Sequence, residues 1–449
     1  MDTSSPTIEA GPAAARVKAS AGYRWYVMSL LTAIYVANFI DRQVVNILAE
    51  PIKNELKLSD GQLGWLTGLA FAVLYTLLGI PTARLAERGD RPLLISIAAL
   101  AWSACTAACG LARNFVQLIA ARIGVGVGEA GCTPPAHSLI MDYTPPARRG
   151  SALAFYGMGA PVGGMIGMTL GGFATDAYGW RTAFFWVGAP GVILALLTFL
   201  TLKEPRKAQA NLAAPATDHG QQLKFLETLG LLAAKRAYRY AVLGISLTAY
   251  VAIGSGVFTA SFLLRNHGPA LTQLAHGLGL GPMSFLGLTL GVVSGVFGAI
   301  GMAVGGQLCD RFAQADVRLQ LRIPAIAAAC YVPIFVGALL VDQVGVTLAL
   351  LAASAFLGGV YYGPVTAVSL SVVPPNARAT ASAISLFSAN LIGLGLGPLS
   401  VGYLSDAFAS HVGKAEGIRF ALICASLAAW VAALLYWRGS NTLPADLRD

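Results

Sequence analysis

The sequence predicts an all-α polytopic membrane protein in which twelve transmembrane helices form two pseudo-symmetric six-helix bundles. Three observations carry this expectation. Of 449 residues, 56% are hydrophobic and 11% charged, with a mean hydropathy of +0.66. A soluble domain carries roughly 25% charged residues and cannot hide so much apolar surface. Charge-free stretches of about 20 residues, the length that crosses a bilayer, recur along the chain. Finally, one fixed displacement maps late segments onto early ones. A disordered chain, a coiled coil and a soluble enzyme are excluded. The six cysteines form no Cys-x-x-Cys pair, so no disulfide framework or metal site is expected. Cys105 and Cys109 read as packing residues.

Span one, about residues 25–48, carries Asp41 and Arg42. Residues 61–83 and 92–112 follow, with 23 and 21 uncharged residues. Span four, about 114–141, carries Arg122 and Glu129. Residues 150–175 and 182–202 close the first half with 26 and 21. The second half opens with 240–264. Residues 266–309 are uncharged for 44 positions and contain His267 and His276; they read as a loop followed by a helix from about Met283. Residues 323–341, 343–377, 379–405 and 420–437 complete the twelve. Segment 50–60 sets Ile52, Leu56 and Leu58 among charges and reads as a short interfacial helix. Residues 1–20 are polar and small, and the first apolar run is too long for a cleaved signal.

Lys and Arg set the orientation. With the N-terminus inside, inner segments hold 21 of them and outer segments 7. Both termini are therefore expected in the cytoplasm, across an inner or plasma membrane. The net charge of +9 reflects these loops and implies no nucleic-acid partner.

Segment 203–238 is basic, contains Pro205 and Pro215, and reads as a linker between bundles at 23–202 and 239–438, with cytoplasmic tails at 1–22 and 439–449. A shift of 230 residues places Pro134 on Pro364, Ala147-Arg148 on Ala377-Arg378, and Gly172-Phe-Ala-Thr-Asp-Ala177 on Gly402-Tyr-Leu-Ser-Asp-Ala407. At 223 residues, Ala83-Arg-Leu-Ala-Glu-Arg88 matches Gly306-Gln-Leu-Cys-Asp-Arg311. Parallel halves of this kind mark a transporter with a midplane site.

Asp41, Arg42, Arg122 and Glu129 lie well inside spans, where a charge costs at least about 2.5–3.5 kcal/mol. Asp41 sits roughly 24 Å into span one and Arg122 roughly 12 Å from the outer end of span four, at 1.5 Å per residue. Arg122 and Glu129 are two turns apart and share a face. At the displacement of 230, Arg122 maps to Ala352 and Glu129 to Gly359, so the charged apparatus is one-sided. A structural ion pair locking spans one and four is one reading. The other assigns Asp41 and Glu129 to proton handling, and Arg42 and Arg122, with their forked donors, to a substrate anion.

The chain resembles the major facilitator superfamily over nearly its whole length. That superfamily's loop pattern is Gly-x-Leu-Ala-Asp-Arg-x-Gly-Arg. The first half departs from it at Ala83, Glu87 and Asp90 but keeps Arg88 and Arg91. The second half keeps Gly306, Leu308, Asp310 and Arg311. The resemblance implies alternating access, with Glu87, Arg88, Arg91, Asp142, Asp310 and Arg311 as gating residues. Asn38-Phe-Ile-Asp-Arg42, the run from Arg122 to Glu129-Ala130, and Phe155-Tyr-Gly-Met-Gly-Ala-Pro-Val-Gly-Gly164 are similar to the Spinster branch. Its members export lysophospholipids and sphingosine-1-phosphate, and Phe39 here replaces that branch's Tyr. The resemblance implies a proton-coupled carrier of an anionic amphiphile. Asn38, Arg42 and Arg122 would hold the head, and Tyr361 and Tyr362 would line an apolar cavity in the second half. The Asp-Arg and Glu-Ala elements also occur in symporters of sugar acids, and a non-transporting receptor of the same fold stays open. No P-loop or Ser-His-Asp set is present, so no enzyme, cofactor or metal is expected. The expected partners are the bilayer, protons and the small substrate, with the chain a monomer. His137 reads as a packing residue.

Overall fold

The computed structural model describes residues 20–145, 148–206, 225–312, 315–374 and 377–447, without the side chains at 80, 87, 88, 150, 225, 226 and 379. The described residues are helical, with no strand among them. Eleven helices are long and apolar enough to cross a membrane: α2 (Asp60–Ala86), α3 (Arg91–Leu111), α4 (Phe115–Tyr143), α5 (Ser151–Tyr178), α6 (Trp180–Thr201), α7 (Arg236–Gly277), α8 (Pro282–Phe312), α9 (Leu319–Leu340), α10 (Val344–Ser371), α11 (Thr380–Val412) and α12 (Lys414–Asp446). The twelfth, α1 (Ala21–Leu56), misses that threshold because charges interrupt its apolar run. A short helix, Phe225–Ala234, precedes α7.

Two boundaries differ from the sequence expectation. Segment 50–60 is no separate helix. α1 runs through Pro51 to Leu56, and Lys57, at φ 53°, ends it. Likewise, no loop fills 266–282, because α7 continues through Pro269 to Gly277. Both prolines sit in helices that tolerate the lost N–H, since neighbouring helices support the backbone.

In lipid, helix association rests on close packing rather than on the hydrophobic effect, which makes small residues decisive. A Cβ on Gly126 would come within 3.0 Å of the Phe71 carbonyl oxygen on α2. One on Gly128 would come within 2.6 Å of the Trp102 nitrogen on α3. These alternating glycines draw α2 and α3 onto α4. Gly159 and Gly167 seat α5 against Tyr35 and Ile40 of α1 in the same way. Gly179 and Gly413, at φ 84° and 86°, turn the chain from α5 into α6 and from α11 into α12, a conformation essentially reserved for glycine. On the outside of the bundle, Trp186, Ile193, Leu196 and Leu200 of α6 form an exposed apolar stripe, as a lipid-facing helix requires.

The halves meet through two crossings related by the internal repeat. α2 crosses α11 where Gly68 approaches the carbonyls of Leu394 and Gly395, and both helices widen there into i→i+5 turns, at Trp65–Leu69 and Asn390–Leu396. α5 crosses α8, whose own widened turn is Val293–Phe297, with Gly295 lying against Pro161 and Met165.

Among the described residues, polar bonds between the halves gather at one end. Asp406 of α11 accepts hydrogen bonds from the N–H groups of Asp60 and Gly61, at 3.0 and 2.7 Å. Asp176 of α5 accepts from Met283 N at 3.3 Å and from Ser284 N and Oγ at 2.6 Å each. Each aspartate thus caps the start of a helix in the opposite half, satisfying N–H groups that a helix start leaves unpaired and meeting its positive dipole end. The echo Gly-x-x-[Thr/Ser]-Asp-Ala is the two copies of this device. Beside one copy, Arg265 of α7 bridges Glu50 and Asp60 at 2.8 Å each, Lys53 pairs with Asp60 at 2.5 Å, and Ser405 donates to Asp60 at 2.7 Å.

Candidate functional site

α1 and α4 place the four intramembrane charges together. Arg42 Nε donates to Glu129 Oε2 at 2.6 Å. The Glu129 side chain is 0% exposed, whereas Arg42 keeps 17%, so the pair has a closed side and a side open to the interior. The Arg42 guanidinium also lies 5.1, 5.0 and 4.4 Å from the ring centres of Phe39, Phe71 and Tyr75. Arg122 lies 5.4 Å from the ring of Phe71, which therefore serves both cations. Aromatic faces stabilise a partly desolvated guanidinium by about 0.5–2 kcal/mol.

The pairing departs from a simple Asp–Arg couple. Glu129 takes Arg42, while Asp41, 1% exposed, forms no ion pair among the described residues. Asp41 Oδ1, Arg122 Nε, Arg42 Nη2, Glu129 Oε1 and both amide atoms of Asn38 are buried without a hydrogen-bond partner. A native interior leaves few such atoms unsatisfied, and here they are concentrated around one ion pair.

One step along α1, Gln43 and Asn46 border a cavity of about 390 Å³ that continues into the second half. Its wall there is uncharged, with Ser255, Thr259, Tyr331, Phe335 and Ser354 among the residues lining it. Tyr361 and Tyr362 are not part of that wall. Tyr361 lines a separate space of about 20 Å³, and Tyr362 is 54% exposed. The aromatic hydroxyl in the cavity is that of Tyr331, on α9, which the sequence reading passed over because an isolated Tyr in an apolar span carries no local signal.

Of the expected gating residues, Arg91 is fully buried and pairs with Asp142 at 2.7 Å and with Glu204. Ser138 accepts from the same guanidinium at 2.7 Å. This cluster ties α3 and α4 to the segment after α6, all within the first half. Burial opposes ionisation of Glu204, but hydrogen bonds from Arg91 outweigh it and hold the carboxyl below the usual glutamate range. Asp310 and Arg311 are exposed, with Arg311 over the Phe312 ring. The side chains of Glu87 and Arg88 lie outside the described residues. His137 packs edge-on against Tyr156, with 5.2 Å between ring centres. Cys105 fills the space beside Gly124. Sequence reasoning missed Glu204, one of three acids in a basic linker, and the set Glu50, Lys53, Asp60, Arg265, Asp176 and Asp406. The internal echo contained the last two without naming their partners.

Comparison with known proteins places this arrangement. The Major Facilitator Superfamily model matches residues 31–398. An MFS-type efflux pump of Mycolicibacterium smegmatis is 31% identical over 94% of this chain and 94% of its own. Protein spinster homolog 3 of Danio rerio is 27% identical, covering 86% and 78%. A hexuronate transporter of Bacillus subtilis is 26% identical, covering 83% and 85%. Among solved structures, a bacterial homolog to the human lysosomal transporter Spinster, inward-facing and unoccupied, superposes with a TM-score of 0.83 at 31% identity, over 95% of this chain and 99% of that one.

Proposed function

The chain belongs to the Major Facilitator Superfamily, and on that premise we propose that this transporter moves an anionic amphiphile, of the lysophospholipid or sphingosine-1-phosphate type, in exchange with or alongside protons. The observation that carries the reading is the juxtaposition of unlike surfaces. Unsatisfied buried polar atoms surround Arg42–Glu129, and an uncharged cavity of about 390 Å³ begins at the next residue, Gln43. A phosphate or carboxylate head would displace Glu129 from Arg42 and engage Arg122, since a guanidinium binds either anion through two parallel donors. The released Glu129 then carries a charge without a partner, which a buried site relieves by taking up a proton. Asp41 and Glu129 handle the proton, Arg42, Arg122 and Asn38 the head, and the wall around Tyr331 the apolar tail.

The Lys and Arg distribution puts the capped end outside, which makes the described conformation inward-facing with both termini cytoplasmic. Transport proceeds by rocking the two bundles across the α2·α11 and α5·α8 crossings, as parallel repeats permit. Opening to the outside requires Asp176 and Asp406 to leave the helices they cap.

The sugar-acid alternative keeps the same charged site and makes less use of the uncharged wall in the second half. Proteoliposomes holding a pH-sensitive dye separate the two. Proton movement on adding lysophosphatidylglycerol, with silence on adding galacturonate, is the expected result. The reverse pattern would make the protein a sugar-acid symporter, and binding of either compound without proton or substrate flux would make it a receptor.

A further inference from the structure

A second cavity, of about 420 Å³, opens at the end of the bundle opposite the aspartate caps. It lies where α1 begins, α4 ends and α5 begins, and it shares no described lining residue with the central cavity. Arg24, Trp25, Tyr143, Arg148, Ser151 and Phe155 line it. Its composition is unlike that of the central site. Among the described residues no carboxylate lines it, and neither Arg24 nor Arg148 makes a side-chain hydrogen bond or ion pair with any of them. Arg91 and Arg149 close by are engaged, the first by Glu204 and Asp142 and the second by the Thr144 carbonyl. Two helix starts add their positive ends to the same space, since α1 begins at Ala21 and the first turn of α5 follows Arg148.

The apolar part of the lining is equally distinct. Trp25 is 64% exposed and packs edge-on against Phe155, with 5.9 Å between ring centres. An exposed Trp at the end of a span marks the headgroup level of a bilayer. Cations, an aromatic shelf and headgroup depth thus coincide at one pocket.

We propose that this pocket binds one anionic glycerophospholipid of the surrounding leaflet, its phosphate between Arg24 and Arg148 and an acyl chain against Trp25 and Phe155. Basic pockets between spans recognise such headgroups by charge. A zwitterionic lipid offers the phosphate together with a cation that the two arginines repel. A free phosphate ion offers the charge without the chain. The bound lipid fastens the start of α1 to the start of α5, two helices of the same bundle that meet along Gly159, Gly163 and Gly167.

The test uses the full chain purified in a neutral detergent, with lipid binding read by native mass spectrometry and by thermal unfolding. Phosphatidylglycerol is expected to bind and to raise Tm, whereas phosphatidylcholine and inorganic phosphate are not. In the double variant R24Q/R148Q, phosphatidylglycerol affinity should fall on the order of tenfold or more, since each basic group at a membrane surface multiplies the binding constant about fivefold. The double variant R24K/R148K, which keeps the charge, should retain most of it. S151F, which fills the mouth of the cavity and leaves both arginines, should lower the affinity without changing Tm in the absence of lipid, so the test stands even if the glutamine variant fails to fold. The proposal is overturned if the glutamine variant binds phosphatidylglycerol within twofold of wild type, if phosphatidylcholine binds equally well, or if inorganic phosphate alone displaces the lipid. None of these outcomes bears on the central transport site.

Discussion

The two bundles share a backbone plan and divide the chemistry, and the division follows the repeat. What recurs at the displacement of 230 residues is Asp176 and Asp406, each capping a helix of the other half, together with glycines that let helices cross. What does not recur is the charge. Arg122 corresponds to Ala352, and Glu129 to Gly359. The second half also lacks room for that carboxylate. A Cβ on Gly359 would run into the Gly298 carbonyl of α8 and come within 3.0 Å of the Met302 nitrogen. α8 and α10 have closed together there, whereas α4 keeps Glu129 facing α1. Under the proposed function, repeated features serve motion between the halves, and unrepeated ones serve recognition.

The largest effect is expected from breaking the unrepeated side. R42A leaves Glu129 buried without its cation, which costs about 3–5 kcal/mol in a buried pair, and should abolish transport while lowering Tm. R42A/E129Q should recover much of the Tm and none of the transport, as thermal melts beside uptake assays would register. Full recovery of transport in the double variant would reduce the pair to a structural lock. A smaller effect is expected in the neutral half. G358L projects into the cavity, where a Cβ meets Tyr331 only at 3.8 Å. Displacing two methylenes of a tail, at about 0.8 kcal/mol each, should weaken a long-chain amphiphile roughly tenfold and leave a short-chain one unaffected in competition binding.

The repeated side is sharpened by D176N and D406N. Each keeps the shape and loses the charge at a helix start, worth about 0.3–1 kcal/mol. Each should therefore shift the population toward outward opening by up to about fivefold, with the double variant near the product, read by distance measurements between spin labels across the capped end. The smallest effect belongs to Glu204. Its carboxyl is held below the usual range by Arg91, so its contribution to stability is complete above the ordinary glutamate range and is lost as the pH falls through its folded value. Wild type should lose Tm on acidification in that window, and E204Q should show a lower Tm at neutral pH with less of this acid dependence.

Much of the architecture was legible in the sequence, because a bilayer imposes a span length that charge-free runs report directly. The ends of spans were not. Pro51 and Pro269 look like helix ends, yet α1 and α7 pass through both, since helices that rise beyond the hydrocarbon layer can hold residues the hydropathy pattern assigns to loops. Helical depth brought Arg42, Arg122 and Glu129 into one region, but the choice of Arg42 rather than Arg122 as partner depends on the rotation of α1, which periodicity does not fix. The helix caps were half-visible. Asp176 and Asp406 stand out in the repeat, but their partners are backbone N–H groups, which carry no sequence signature. Tyr331 was hidden for a related reason, because a cavity wall is assembled from several helices and no one of them shows it.

The central claim is that the charged half handles protons and the neutral half handles the tail of one substrate. Its most direct test is proton flux in proteoliposomes driven by lysophosphatidylglycerol, comparing wild type with D41N and E129Q, with binding of the same lipid measured in parallel. The account predicts substrate-dependent proton movement in wild type, and binding without proton movement in both variants. Undiminished proton movement in D41N and E129Q would contradict it.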